Sequence, residues 1–374
     1  MKVAILDTYY PGFLTAFYEN QPGLEKENYE GQRQRLIDAC FGTSDFYSRH
    51  LNALGCEAVD LIANAVPLQF AWAIENKYSI SKRALAVDCR ITRAPLLGHI
   101  LSFVPGLIRT IMEQIRRLKP DVLYCQDMSF LPPRALKGLK EHVRLIAGQI
   151  ASPPPRRRYL ESFDLILTSF PHFVGRFRDQ GLSAEYFRIA FDTRVLERLG
   201  PVDRDLDATF VGGITSAHSR GTALLERLAL ETPVKFFGYG RERLAPGSPV
   251  HPHHHGEVWG LDMYRILARS RVTLNRHIDV AESYANNMRL YEATGVGAML
   301  LTDQKDNLAD LFEPGREVVA YGSAAEAAEL IRFYLANPTK AADIARAGQR
   351  RTLREHTYEK RMGELVPLLR RHLH

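Results

Sequence analysis

The feature that most constrains this 374-residue chain is a rhythm in which short apolar runs alternate with longer stretches of helical spacing, and the rhythm starts twice. The first block opens with Val3-Ala4-Ile5-Leu6, which reads as a buried strand followed by a turn at Pro11-Gly12. A polar helical stretch over 44–54 stops at Gly55, as a C-terminal glycine stops a helix, and a second strand is expected over 57–62. Helical spacing over 108–118 halts at Pro120, and further strands are expected over 121–125, 143–147 and 165–168. Apolar strands separated by helices build parallel βαβ units covered on both faces.

Residues 192–207 interrupt this pattern with charged side chains and Gly200-Pro201, the composition of an exposed linker. The rhythm then restarts with Ala208-Thr209-Phe210-Val211, which runs into Gly212-Gly213. A strand over 234–237 leads to Gly238-Tyr239-Gly240, and a helix over 261–268 leads to a strand over 272–274. A helix over 287–294 breaks at Gly295 and Gly297, ahead of a strand over 298–302. The sequence thus predicts two facing, doubly wound α/β domains, over 1–190 and 208–345, joined by a linker over 191–207. An Arg-rich helical tail over 346–374 is expected to pack back across both domains.

Composition narrows the function. With 45% hydrophobic and 25% charged residues, the chain can bury two cores and is not a disordered tail. The net charge of +6 is spread through short runs such as Arg156-Arg157-Arg158 and Arg370-Arg371 without interleaved aromatics, so a nucleic-acid partner is not expected. Four scattered cysteines, Cys40, Cys56, Cys89 and Cys125, lack CxxC spacing and read as reduced thiols of a cytoplasmic protein. Residues 1–7 read as a strand and lack the apolar core of a signal peptide. The apolar stretch over 94–112 contains His99, Ser102 and Pro105, which suits a buried or interfacial helix pair better than a membrane crossing. Together with the basic tail, it leaves open peripheral association with the inner face of the membrane.

In open parallel sheets, ligands collect beyond the carboxyl ends of the strands. Three such places in the second block suit a nucleotide. Gly212 and Gly213 let the backbone approach a phosphate, and Arg220 follows as a cation for a diphosphate; the plain alternative is a tight turn with a surface arginine. Gly238, Tyr239 and Gly240 open a strand end where a base can be gripped, or form an ordinary strand-to-helix turn. In the third, Asn286 or Asn287 caps a helix on which Arg289 and Glu292, three apart, share a face. Such a carboxylate can accept ribose hydroxyls while the arginine meets phosphate; the alternative is an exposed ion pair.

That third block, Asn286-Asn287-Met288-Arg289-Leu290-Tyr291-Glu292-Ala293-Thr294-Gly295 running into Met299-Leu300-Leu301-Thr302-Asp303, resembles the C-terminal domain of family 4 (group 1) glycosyltransferases. More narrowly, it resembles their CgeB-like, spore-maturation branch, with its R-x-x-E-A-x-G block and L-T-D strand end. Glu317, His356-Thr357-Tyr358 with Arg361, residues 41–47, Leu68-Gln69 and Trp72-Ala73 are similar too. The resemblance implies the GT-B fold and a nucleoside diphosphate sugar as donor substrate, with no other cofactor. It also implies transfer of a hexose-like sugar to a glycan, lipid-linked or protein acceptor. In it, Glu292 holds the ribose, the Asn287 end of the helix lies with Arg289 near the diphosphate, and Gly212-Gly213 lies opposite. One departure matters: family 4 enzymes carry two glutamates separated by seven residues, a count that lands here on Tyr284, while Glu282 is separated by nine. The contact to the donor sugar and the stereochemical outcome are therefore open.

Asp45, Asp127 and His172 stand at first-block strand ends or loops and are candidates for acid–base work on an acceptor, although residues so placed are more often ordinary caps or loop residues. Asn275 and His277, just after a second-block strand, are candidates for touching the donor. No Asp-x-Asp stands at a strand end, and the run His251, His253, His254 and His255 lacks helical ligand spacing, so no metal site is expected. Two rivals remain: a non-catalytic nucleotide-sugar binder or scaffold of the same fold, and a dinucleotide oxidoreductase, which lacks its glycine fingerprint.

Overall fold

A computed structural model describes residues 1–80, 105–215 and 222–373. Its first sheet is wholly parallel and contains β1 (Lys2–Asp7), β2 (Glu57–Ile62), β3 (Val122–Cys125), β4 (Leu145–Ile150), β5 (Leu165–Thr168) and β6 (Ala184–Tyr186). Their order is β2-β1-β3-β4-β5-β6. The second sheet, also parallel, contains β7 (Leu206–Val211), β8 (Val234–Phe237), β9 (Ser270–Leu274), β10 (Met299–Asp303) and β11 (Val319–Tyr321), in the order β11-β10-β9-β7-β8. Each sheet is doubly wound. The chain leaves β1 in one direction for β2 and returns to the other side for β3, and it does the same from β7 to β8 and then β9. The crevices beyond β1/β3 and beyond β7/β9 are the switch points where such sheets bind ligands.

The strands are apolar on both faces because helices cover both. On the outer face of the first sheet, Leu6, Leu123, Ile146 and Ile166 share one apolar cluster with Leu107, Ile108, Ile111 and Ile115 of the helix Pro105–Leu118 and with Leu136, Phe173 and Phe177 of later helices. That helix holds the end of the apolar 94–112 stretch; the rest, with Cys89, lies outside the described residues. Among the described residues no helix is long and apolar enough to cross a membrane. The inner faces of the two sheets share one apolar cluster, which runs from Val3, Tyr47 and Tyr124 through Phe191 to Tyr264, Leu290 and Tyr358.

The tail does cross back. Thr357 caps the last helix, Tyr358–His372, by accepting the Lys360 amide. Its first residue, Tyr358, packs on Phe46 and Tyr47 of the first domain at 5.5 and 5.2 Å between ring centres. Arg361, 1% exposed, donates to the Glu355 carbonyl at 3.0 Å and anchors the bend between the tail helices.

The expected linker is more structured than its composition suggests. Residues Arg194–Leu199 form a helix, and Asp192 is buried, accepting from His50 at 2.8 Å. Its charges are paired with groups far away in sequence, which local composition does not reveal.

Candidate functional site

The structure brings most of the expected residues of the second block to one crevice. β7 and β8 extend past their named ends: the Gly212 amide donates to Phe237 O at 2.9 Å and the Ile214 amide to Tyr239 O at 2.9 Å. Two glycines allow this close approach. A Cβ on Gly238, whose φ is +127°, would stand 2.2 Å from Gly212 O, and one on Gly213 would stand 2.4 Å from the Tyr239 ring. Gly212-Gly213 and Gly238-Tyr239-Gly240 are therefore packed against each other, a structural reason for the glycines that exists without any phosphate. Arg220 lies outside the described residues.

Asn287 caps the helix Met288–Gly295 by accepting the Leu290 amide at 3.2 Å. Its amide nitrogen reaches Asn275 at 2.8 Å and the Arg276 carbonyl at 3.2 Å, which fixes the helix start beside the end of β9. Asn275 in turn donates to Thr302 Oγ1 on β10 at 2.9 Å. Asn286 turns the other way and donates to Ser169 Oγ, just beyond β5 of the first domain. The helix start, with its unpaired amides and positive dipole end, thus sits where the two lobes meet.

Glu292 points inward. It is 5% exposed; Arg289 Nη1 donates to its Oε2 at 2.7 Å, and Tyr264 approaches Oε1 at 3.5 Å. Arg289 Nε also donates to the Val211 carbonyl at 3.0 Å, which ties the pair to the end of β7 at the switch point. Burial holds the Glu292 carboxyl above its usual range even though Arg289 and Tyr264 act to lower it. A buried, incompletely matched carboxylate with lone pairs to spare suits a ligand that brings hydroxyl donors.

A cavity of about 730 Å³ opens beyond β9, β10 and β11, lined by Arg276, His277, Glu282, Ser283, Asp303 and Lys305 among others. His277 Nδ1 bonds Asp303 Oδ1 at 2.7 Å, and the side chain has no exposed surface. Burial acts to raise Asp303, but His277 and Lys305 outweigh it and hold the carboxyl below its usual range. Glu282, separated from Glu292 by nine residues, does line this cavity, but it is held by Arg176 of the first domain at 2.9 Å. Tyr284, at the seven-residue spacing, stacks on His172 with ring centres 4.9 Å apart.

The acceptor-side candidates separate. His172 is a domain-interface residue: Nε2 reaches the Val280 carbonyl at 3.3 Å, and burial pushes the imidazole below its usual range. Asp45 is held by Arg194, which engages both of its oxygens. Its position before a helix suggested a loop role, but the partner lies 149 residues away. Asp127 does stand at the first switch point, accepting from Thr8 Oγ1 at 2.7 Å and the Ser129 amide at 2.8 Å.

Sequence reasoning missed Asp7, Tyr10 and Trp259. Asp7 ends β1 directly opposite this crevice, and a polar residue closing an apolar strand was the available signal. Tyr10 meets Tyr239 and Trp259 of the second domain at ring-centre distances of 5.7 and 5.8 Å, and Tyr239 stacks on Trp259 at 5.6 Å. Among the described residues, no group of three His, Cys, Asp or Glu side chains is arranged to hold a metal ion.

Two facing, doubly wound parallel sheets with a helix crossing back and a cleft between their carboxyl edges are the GT-B glycosyltransferase fold. Residues 220–366 match the family model described as glycosyl transferase-like, which covers the block carrying Arg289 and Glu292. The chain is similar in fold to sucrose-phosphate synthase from Thermosynechococcus elongatus, with 11% identity, a TM-score of 0.57 and 99% of each chain covered. It is likewise similar to the Anabaena protein HepE, solved in complex with UDP-glucose, with 13% identity, a TM-score of 0.59 and 99% of each chain covered. A glycosyltransferase involved in avilamycin A biosynthesis aligns with 15% identity and a TM-score of 0.59, over 100% of this chain and 98% of that one. No curated protein matches the chain in sequence.

Proposed function

We propose that this chain is a glycosyltransferase that moves a hexose-like sugar from a nucleoside diphosphate, bound on its second lobe, to an acceptor held by the first. The observation that carries the reading is the Arg289–Glu292 pair, buried at the β7/β9 switch point on a helix whose start meets the other lobe. In this arrangement Glu292 accepts the ribose hydroxyls, and Tyr239 offers its ring beside the base. Arg289 and the amides after Asn287 stabilise the charge that develops on the departing diphosphate. Carrying that charge on protein groups is the basis for proposing a metal-independent reaction. The contact across the cleft from Asn286 to Ser169 favours a closed state that keeps water from the donor.

The R-x-x-E-A-x-G block supports a place in the CgeB-like branch, and the UDP-glucose complex of HepE makes a uridine donor the first to test. Thermal shift with UDP, GDP, ADP and their glucose conjugates tests the reading, because a ligand that binds only the folded chain adds about 2.7 kcal/mol of stability at a hundredfold excess over Kd. A shift with one nucleotide is expected and, with an acceptor present to take the sugar, release of the nucleoside diphosphate from its glucose conjugate, undiminished by EDTA. Tight binding without any turnover identifies a scaffold instead, and no shift with any nucleotide removes the proposal.

A further inference from the structure

The mouth of the first sheet holds groups that donor binding leaves unused. Asp7 ends β1 and Gln126-Asp127 follow β3, so they flank the first switch point. The Thr8 amide donates to Asp7 at 2.8 Å, and the Thr8 hydroxyl donates to Asp127 at 2.7 Å. Thr43 Oγ1 lies 2.8 Å from Gln126 Oε1 and 3.3 Å from Asp7 Oδ2. A hydroxyl has one proton to give, so the shorter contact takes it, and the longer one is made when Asp7 itself carries a proton. In keeping with this, burial, reinforced by Asp127, lifts the Asp7 carboxyl to about 7.

Two buried donors here have no partner among the described residues: Gln126 Nε2 and the hydroxyl of Tyr9. Tyr9 is only 2% exposed, and Asp7 is foremost among the charges acting on its hydroxyl. Just outside stands Tyr10, 51% exposed and three residues beyond Asp7, whose ring meets Tyr239 of the second lobe at 5.7 Å between ring centres.

We infer that this crevice is an acceptor subsite for a sugar ring, with Asp7 and Asp127 accepting ring hydroxyls, Gln126 Nε2 donating to one, and Tyr10 lying against a C–H face. The inference rests on the glycosyltransferase reading and chooses among its acceptors. A polyhydroxylated ring supplies donors, acceptors and an apolar face together, which is what these groups require. A phosphate-bearing acceptor would bring its charge against two carboxylates, and an acyl chain would strip them of water without bonding them.

The test uses the full chain, UDP-glucose as donor, and p-nitrophenyl glucoside, galactoside and mannoside as acceptors, beside a serine-rich peptide and undecaprenyl phosphate. Transfer to at least one glycoside is expected, with kcat/KM for that glycoside falling at least tenfold in Asp7→Asn and in Tyr10→Ala. UDP affinity should stay within threefold of the parent in both. Because Tyr10 is half exposed, its variant reports even if Asp7→Asn does not fold. Unchanged glycoside transfer in Tyr10→Ala, or a parent that binds UDP yet uses only the peptide or the lipid phosphate, or no acceptor, overturns the sugar subsite alone. A parent that binds none of UDP, GDP and ADP overturns the donor reading and this inference with it.

Discussion

Glu292→Gln keeps the shape of the side chain and removes its charge. In the fold the change has two opposing effects. The carboxylate is 5% exposed and its ionised form is disfavoured by burial, so the amide is easier to bury. Against that, the 2.7 Å bond from Arg289 loses its charge-assisted character, while Arg289 keeps its bond to the Val211 carbonyl. Stability should therefore change by no more than about 1 kcal/mol. Nucleotide binding should respond more strongly, because hydrogen bonds to a charged acceptor contribute about 1.5–3 kcal/mol, which is roughly 10- to 100-fold in Kd. The assay is calorimetric titration with whichever of UDP, GDP or ADP binds, repeated with its 2′,3′-dideoxy analogue. If Glu292 holds the ribose, the parent loses affinity for the analogue by a similar factor, and the variant then binds both ligands almost equally. A variant that weakens both ligands by the same factor would show that Glu292 acts only through Arg289, and one that weakens neither would refute the ribose contact.

Three further outcomes follow from the geometry. Asp60 is 3% exposed, one of its oxygens has no partner among the described residues, and burial raises its carboxyl to about 7; the folded chain thus binds more protons than the unfolded one between the ordinary value of 3.8 and about 7. Stability from this group is full below 3.8 and is lost as pH rises through about 7, so Asp60→Asn should raise urea-melt stability at pH 8, by about 4 kcal/mol at most, and the gain should vanish by pH 4. Gly238→Ala forces a Cβ to within 2.2 Å of Gly212 O at a φ of +127°, and should lower Tm by several degrees and weaken nucleotide binding. Tyr358→Phe removes a buried hydroxyl that has no partner among the described residues and should be neutral or stabilising by about 1 kcal/mol in denaturant unfolding; a loss above that would reveal a partner for the hydroxyl.

How far the sequence could be read depended on the range of the interactions involved. The strands 57–62 and 234–237 fall where the apolar runs placed them, and the helix carrying Glu292 starts at its asparagine cap, because these signals are local. The short edge strands β6 and β11 were not foreseen: three residues carry too little pattern to stand out. The site was legible where one element carries it, as with Asn287, Arg289 and Glu292. Where partners are distant it was not: Asp45 looked available until Arg194 occupied it, and Asp7 gains meaning only when β3 brings Asp127 beside it. Glu282 faces the cavity although its spacing from Glu292 departs from the family pattern, because the chain bends there at a φ of +51°.

The polypeptide passes between the lobes twice, at Phe191 and at Thr357, and the two passages are bonded side by side: the Phe191 amide donates to the His356 carbonyl at 2.9 Å and the Tyr358 amide to the Phe191 carbonyl at 3.0 Å. Two tethers at separate points would let the lobes shear, whereas two tethers fused at one point leave a single pivot. Opening of the lobes should thereby be a swing about Phe191 that parts the Tyr10 and Tyr239 rings, here 5.7 Å apart.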